Sequence, residues 1–291
     1  MLVGRLRVQD GAVHPLISTD DLASALDGAQ PPVVLDVRWR LGGPPGHQDY
    51  EVGHLPGAVY VDLDAELASP PGDGGRHPLP DPAVLQAALR AAGVRESHPV
   101  VAYDAADGSI AARAWWLLRW AGHPEVAVLD GGFAAWTAEG RPVTTDVPAP
   151  EPGDITVRPG SMPTITADEA ATFPGALLDA RAPERYRGET EPVDPRAGHI
   201  PGALNAPTAG HTANGRWLPA TALAERFTAL GVTPDRPVAA YCGSGVTASS
   251  VVLALEVAGL TSPTTPAPLY PGSWSQWSSD PTRPTATGPT P

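Results

Sequence analysis

Cysteine occurs once in the 291 residues, at position 242, where it opens the string Cys-Gly-Ser-Gly-Val-Thr-Ala-Ser (242–249). The short apolar run Pro237-Val-Ala-Ala-Tyr241 precedes it, and Val246 to Ala258, proline-free and of helical composition, follows. A thiol between a buried strand and the first turn of a helix meets unpaired N–H groups and a partial positive charge, which favour the thiolate. Gly243 and Gly245 allow the backbone to curl so that N–H groups converge on the sulfur. Such a sulfur is a nucleophile. Val246 stiffens the helix entry, and the Thr247 hydroxyl can cap the loop or donate to the sulfur. The competing assignment is a small buried hydrophobe, the common fate of a free cysteine.

The chain repeats itself. VVLDVR (33–38), GHLPGA (53–58), PVVAYDA (99–105) and DGGFAAW (130–136) return as ALLDAR (176–181), GHIPGA (198–203), PVAAYCG (237–243) and PGSWSQW (271–277). Asp36 pairs with Asp179, His54 with His199 and Tyr103 with Tyr241, 138 to 145 positions apart. That period is too long for a solenoid and suits two copies of one domain. Asp104 stands in the first copy where Cys242 stands in the second.

Apolar runs at 33–37, 99–103, 126–129, 176–178 and 237–241 predict buried parallel strands. Helical stretches at 20–26, 82–92, 110–121 and 221–230 alternate with them. The expected fold is therefore α/β: tandem domains, each a mostly parallel sheet with helices on both faces. The expected boundaries are 1–146 for the cysteine-free domain, 147–163 for a proline-rich linker, 164–280 for the catalytic domain and 281–291 for a frayed Pro/Thr-rich tail.

In combination, these paired elements resemble the two-domain rhodanese-like sulfurtransferases over about residues 15–280. The loop Cys-Gly-Ser-Gly-Val-Thr-Ala is most similar to the 3-mercaptopyruvate branch. The thiosulfate branch typically carries two cations after its cysteine, where this chain has Gly243 and Ser244. The resemblance implies transfer of a sulfane sulfur from 3-mercaptopyruvate through a Cys242 persulfide, with thiosulfate as the alternative donor. The acceptor would be cyanide or a thiol, including a thioredoxin-like protein. It also implies that Arg185, and Arg196 at a spacing longer by two residues, bind substrate together with the loop residues Gly243, Gly245, Val246 and Thr247. A guanidinium fork matches a carboxylate beside a keto oxygen. A relay of Ser244, His54 and an upstream acid is implied too. The acid's place is taken by Gly43, leaving Asp49 or Glu51. The twin Gly-His-Leu-Pro-Gly and Gly-His-Ile-Pro-Gly turns favour a structural role for His54 and His199, a ring fixing a loop beside the first strand. Arg181, like Arg38, falls in the structural Asp-x-Arg element.

His14, His47, His77, His98, His123 and His211 are scattered without ligand spacing, so no metal and no cofactor are expected. A net charge of −13 argues against nucleic acid and anionic membranes as partners. No stretch approaches the roughly 18 apolar residues of a membrane span. The N-terminal MLVGRLRVQDG has no long apolar core, and with one cysteine the expected location is the cytoplasm. A cysteine phosphatase is excluded because it needs arginine six residues after the cysteine, where Ala248 stands. A non-catalytic binding module would have lost the cysteine from both halves. The six tryptophans at 115, 116, 120, 136, 274 and 277 are expected to pack cores, and Trp39 to line a ligand cleft.

Overall fold

The computed structural model describes residues 8–9, 12–105 and 107–291. Residues 1–7 and 10–11, on which most of the leader-peptide expectation rests, lie outside the described residues. The chain divides into two units. Unit 1 comprises residues 1–68, 80–161 and 214–217, and unit 2 comprises 69–79, 162–213 and 218–291. Each half thus contributes a short segment to the other half's unit, which the sequence reading did not anticipate.

Unit 1 is built on a parallel five-stranded sheet. Its strands are β1 (Leu16–Ile17), β2 (Val33–Asp36), β3 (Val59–Tyr60), β4 (Val100–Tyr103) and β5 (Val126–Leu129), in spatial order β1-β5-β4-β2-β3. The central strands β4 and β5 are buried throughout, as continuous apolar runs of Val, Ala and Leu require. Helices α1 (Thr19–Leu26), α2 (Gly46–Val52), α3 (Pro82–Ala91), α4 (Ala111–Trp120) and α5 (Gly132–Ala138) connect them. Ser18 caps α1, and Asp81 followed by Pro82 starts α3. The helix α4 is buried on nearly every side, carrying Trp115 and Trp116 into the core.

Unit 2 repeats the plan. Strands β6 (Ala176–Asp179), β7 (Leu204–Asn205) and β8 (Val238–Tyr241) pair in parallel in the order β8-β6-β7. Single parallel bridges of Leu269 with Ala240 and Thr164 extend the sheet beyond β8. The helices are α6 (Ala167–Ala171), α7 (Pro183–Tyr186), α8 (Ala220–Ala229), α9 (Ala248–Val257) and α10 (Ser273–Ser279). A capping box of Thr166 and Glu169 starts α6. Leu177, Ala239, Tyr241, Trp274 and Trp277 share one apolar core.

The two segments expected to be loose are tied down. In the proline-rich stretch, Gly153 N–H donates to Arg90 O at 2.8 Å and Arg158 N–H to Ala121 O at 2.8 Å, so it runs along unit 1 up to the break at 161/162. In the tail, Ala286 and His199 exchange backbone hydrogen bonds of 2.9 Å each, and the Trp277 indole donates to Pro284 O at 2.8 Å. His54 with Thr144, and Trp136 with Pro142, do the same in unit 1. The tail is thus the second copy of a strap that the composition disguises. Among the described residues no helix is long and apolar enough to cross a membrane.

His211, fully buried beside Phe227 on the turn Thr208–His211, has its pKa lowered to about 3 by burial and by the Arg226 charge. Its ordinary value is 6.5, so between these values the unfolded chain binds a proton that the folded one refuses. Stability is present above about 6.5 and is lost as pH falls toward 3, at up to about 1.4 kcal/mol per pH unit. Urea unfolding of wild type and His211→Phe at pH 7 and pH 5 checks this; the variant is expected to lose less stability between the two.

Candidate functional site

The site grows from the end of β8. Tyr241 closes the strand, and Cys242, 1% exposed, begins the turn into α9. The start of α10 fixes this turn from the side: Trp274 N–H donates to Cys242 O at 2.9 Å and Ser275 N–H to Gly243 O at 2.8 Å. Cys242 N–H in turn donates to Ser273 Oγ at 3.1 Å. Gly245 has φ +80°, and a Cβ there would lie 2.4 Å from Pro271 O, so only glycine fits. This turn aims Gly245 N–H at Cys242 Sγ, 3.1 Å away. The expected curl of the loop is present, with that one N–H as the recorded donor to sulfur. Val246 is buried, and Thr247 sits at the N-cap of α9 without a side-chain capping bond.

The segment 69–79 completes the site. Arg76 N–H donates to Ser275 Oγ at 3.0 Å, and Gln276 Nε2 donates to Asp73 O at 2.8 Å. This anchorage places buried His77 with Nδ1 2.7 Å from Ser244 Oγ, two residues after Cys242. His77 was among the histidines read as scattered.

A cluster of ions flanks the loop. Arg185, at the end of α7, donates through Nη2 to Glu191 Oε1 (2.6 Å) and Asp194 Oδ2 (3.1 Å). Asp194 Oδ1 also accepts from Arg76 Nη1 at 2.5 Å. Burial pushes the Asp194 carboxyl up, and Arg76 and then Arg185 pull it back. A Cβ built on Gly243 would lie 3.0 Å from Arg76 Nη2 and 3.7 Å from Arg185 Nη1. Two guanidiniums therefore crowd the residue next to the sulfur, one of them expected and one not.

Two sequence-predicted residues lie elsewhere. Arg196 spends its guanidinium on four backbone carbonyls, of Ser278, Arg283, Trp277 and Asp280, at 2.5–2.9 Å. It fastens the end of α10 and has no fork left for a substrate. His54 belongs to unit 1, where its Nδ1 faces Tyr50 O at 2.9 Å, its Nε2 faces Asp146 O at 3.2 Å and its ring stacks on Tyr50 at 3.8 Å. His199 repeats the stacking on Tyr186 at 3.8 Å and the bond to Tyr186 O. Both rings therefore serve the twin turns, and the histidine that stands at Ser244 is His77 instead. Neither acid proposed for His54 approaches it: Asp49 pairs with Arg40, and Glu51 is exposed beside His47.

Unit 1 shows what the same loop becomes without a thiol. Asp104, fully buried, accepts the N–H groups of Gly108 (3.0 Å), Ile110 (2.9 Å) and Ala111 (3.1 Å). A resident carboxylate thus fills the amide cradle. Trp39, expected to line a ligand cleft, lines a cavity of about 300 Å³ within unit 1 together with Asp104 and Ile110.

This arrangement of tandem domains and a single cysteine loop agrees with known proteins. The rhodanese-like domain profile matches residues 18–139 and 165–280, and the chain belongs to the rhodanese-like family. It is 46% identical over 280 residues to a Mycobacterium tuberculosis protein carrying the name thiosulfate sulfurtransferase SseB, covering 94% of this chain and 97% of that one. It is 47% identical over 289 residues to a Pseudomonas aeruginosa protein carrying the name 3-mercaptopyruvate sulfurtransferase, covering 94% and 98%. The crystal structure of the 3-mercaptopyruvate sulfotransferase SseA from Escherichia coli superposes with a TM-score of 0.77 at 30% identity, covering 90% of this chain and all of that one.

The repeat carried the missing signal for Arg76 and His77. Gly-Arg76-His77-Pro-Leu-Pro has a twin, Gly-Arg216-Trp217-Leu-Pro, 140 positions on. Arg216 and Trp217 belong to unit 1, where Trp217 N–H donates to Asp130 Oδ1 at 2.8 Å and a Cβ on Gly108 would lie 2.8 Å from the indole nitrogen. The twin of His77 thus packs against the twin of the cysteine loop.

The two arginines of this segment separate by experiment. Arg196→Ala strips four carbonyls of their donor and is expected to lower stability by about 3 kcal/mol while folded enzyme keeps its kcat/KM. Arg185→Lys keeps the charge but loses the fork, and kcat/KM is expected to fall by about 1.5–3 kcal/mol in transition-state terms. Urea unfolding and steady-state kinetics of both variants check the assignment.

Proposed function

We propose that this protein is a sulfurtransferase that takes sulfur from 3-mercaptopyruvate onto Cys242 and passes it to a thiol or cyanide. The observation that carries the donor choice is the Ser244–His77 hydrogen bond beside the nucleophile.

The two candidate donors differ in their protons. The Cys242 thiolate attacks the donor's sulfur, a sulfur–sulfur bond forms, and the bond from that sulfur to its former neighbour breaks. With 3-mercaptopyruvate the electron pair goes to carbon as the enolate of pyruvate. The proton that was on the donor's thiol must reach that carbon, leaving the Cys242 persulfide anion. Ser244 and His77 form a hydroxyl–imidazole pair suited to carrying it. With thiosulfate the leaving group is sulfite, which departs without a proton, so the pair has no task.

Charge points the same way. The neutral Gly243–Ser244 pair was expected to deny a dianion its cations, yet Arg76 and Arg185 stand against Gly243. Those guanidiniums are already shared with Asp194 and Glu191, which leaves less for a dianion than for a single carboxylate. Arg185 would hold that carboxylate and polarise the keto oxygen while charge develops on the enolate. The names carried by the relatives divide between the two donors, so they do not choose. Thiosulfate remains the second reading, favoured by the two guanidiniums that stand beside Gly243. The lone cysteine suits a reducing cytoplasm, where a thioredoxin-like thiol would take the outer sulfur.

Cys242→Ser is expected to abolish turnover without unfolding the protein. Mass spectrometry of wild type treated with 3-mercaptopyruvate is expected to show one added sulfur on the peptide holding Cys242. His77→Phe, which packs but moves no proton, is expected to lower kcat for 3-mercaptopyruvate by about 10²-fold or more and to spare thiosulfate. Equal losses for both donors, or a wild-type kcat/KM higher for thiosulfate, would give the second reading the site.

A further inference from the structure

Outside the loop itself, the least accounted-for group in unit 2 is Arg76. Its Nη1 is held by Asp194, whose side chain is 3% exposed. Its Nε is buried without a hydrogen-bond partner, and among the described residues Nη2 has none either. The Arg76 side chain is 20% exposed, so Nη2 can reach solvent while Nε, which is buried, goes unmet unless a ligand approaches this edge. That edge faces Gly243: Nη2 lies 3.0 Å from where a Cβ would stand, with Arg185 Nη1 at 3.7 Å from the same point. A side chain at 243 would crowd both guanidiniums, so glycine is what leaves their edges unobstructed beside the sulfur-bearing loop.

We propose that Arg76 is a second contact for the donor's carboxylate, and that Asp194 is a positioning residue that aims it and limits the cradle to one negative charge. This rests on the sulfur-transfer reading above. Asp194 is shared between both cations, with Oδ1 on Arg76 and Oδ2 on Arg185. Glu191 holds Arg185 and also Arg181. Arg181 is matched by Asp179. Three guanidiniums face three carboxylates, so the empty cradle is neutral and an arriving monoanion leaves it at −1. A dianion leaves it at −2 in a partly buried place. Asp194 thereby discriminates between donors without touching either. The finger 69–79 reaches the loop through Arg76 and His77 together, so one segment delivers both the carboxylate contact and the proton-handling ring.

The test reads the cradle apart from the donor's identity. Cys242 is alkylated with iodoacetate, a carboxylate, and with neutral iodoacetamide, and the ratio of rates is taken for each variant. Arg76→Gln is expected to lower that ratio by about tenfold or more with little change for iodoacetamide, while Arg76→Lys recovers part of it. Asp194→Asn is expected to raise the ratio and to shift kcat/KM toward thiosulfate relative to 3-mercaptopyruvate, about tenfold. In turnover, Arg76→Gln is expected to raise KM for 3-mercaptopyruvate more than it lowers kcat. The double variant Arg76→Gln/Asp194→Asn removes one charge of each sign, so it guards against a fold lost to an uncompensated carboxylate. Its ratio is expected to stay below wild type. An unchanged ratio and an unchanged KM in folded Arg76→Gln overturn the proposal. Failure of Cys242 to gain sulfur from either donor overturns the sulfur-transfer reading instead, and that outcome is seen in wild type before any variant is made.

Discussion

A buried carboxylate–guanidinium pair at the end of one strand in each unit holds the rest of the structure in register. In unit 2, Asp179 receives Arg181 through Nε and Nη2, the latter at 2.6 Å, while the same Nη2 reaches across to Gly198 O at 2.7 Å. The strand end is thereby tied to the His199 turn, and Tyr241 closes the circuit by accepting Ile200 N–H at 3.1 Å. Arg181 lies over Trp274 at 4.6 Å, which places the start of α10 against the cysteine loop. The ionic connection then runs outward from Arg181 to Glu191, Arg185, Asp194 and Arg76. What begins as fold chemistry ends as the electrostatic wall of the site. Removing one partner of such a pair leaves a buried charge, at a cost of about 3–5 kcal/mol.

Unit 1 shares the frame and lacks the chemistry. Asp36, Arg38 and Gly53 reproduce the pair and its reach, with Tyr103 accepting Leu55 N–H. The divergence is confined to what meets the loop. Asp104 brings its own carboxyl oxygens to the amides that would otherwise receive a ligand, and Trp217 stands where the twin position in unit 2 has a histidine. An amide cradle filled from within needs no ligand, so unit 1 is stable as a scaffold. Unit 2 has a sulfur flanked by two loop glycines in the same place.

Much of this was legible in the residues. The period near 140, the parallel strands and the cysteine turn follow from apolar runs, glycines and one thiol, all local signals. Two kinds of position were not. Arg196 and Arg185 look alike in sequence, and only the course of α10 and the chain after it decides that Arg196 meets four carbonyls. His54 was a catalytic candidate only through the family resemblance, while its twinned motif suited the structural place it has, stacked on Tyr50 and bonded to backbone. His77 was passed over because the histidines are scattered without ligand spacing and its partner lies 167 positions away. The tail misled by composition: proline and threonine suit a strap fixed by backbone bonds as well as they suit disorder.

The balance of charge explains how an acidic chain can accept an acidic substrate. At −13 overall, bulk attraction for anions is absent, so binding must come from local geometry. Free arginines at the site would serve, but buried guanidiniums without counter-ions cost several kcal/mol each. Asp194 and Glu191 remove that cost in the empty enzyme and leave only selected edges of Arg76 and Arg185 open. The same carboxylates make the cradle sensitive to the charge of what enters, because each added unit of negative charge meets them at close range in a partly dry place. On the proposed reading, donor preference is set by carboxylates six and nine positions beyond Arg185 in the chain and by a finger from the first half, while the cysteine loop supplies the nucleophile.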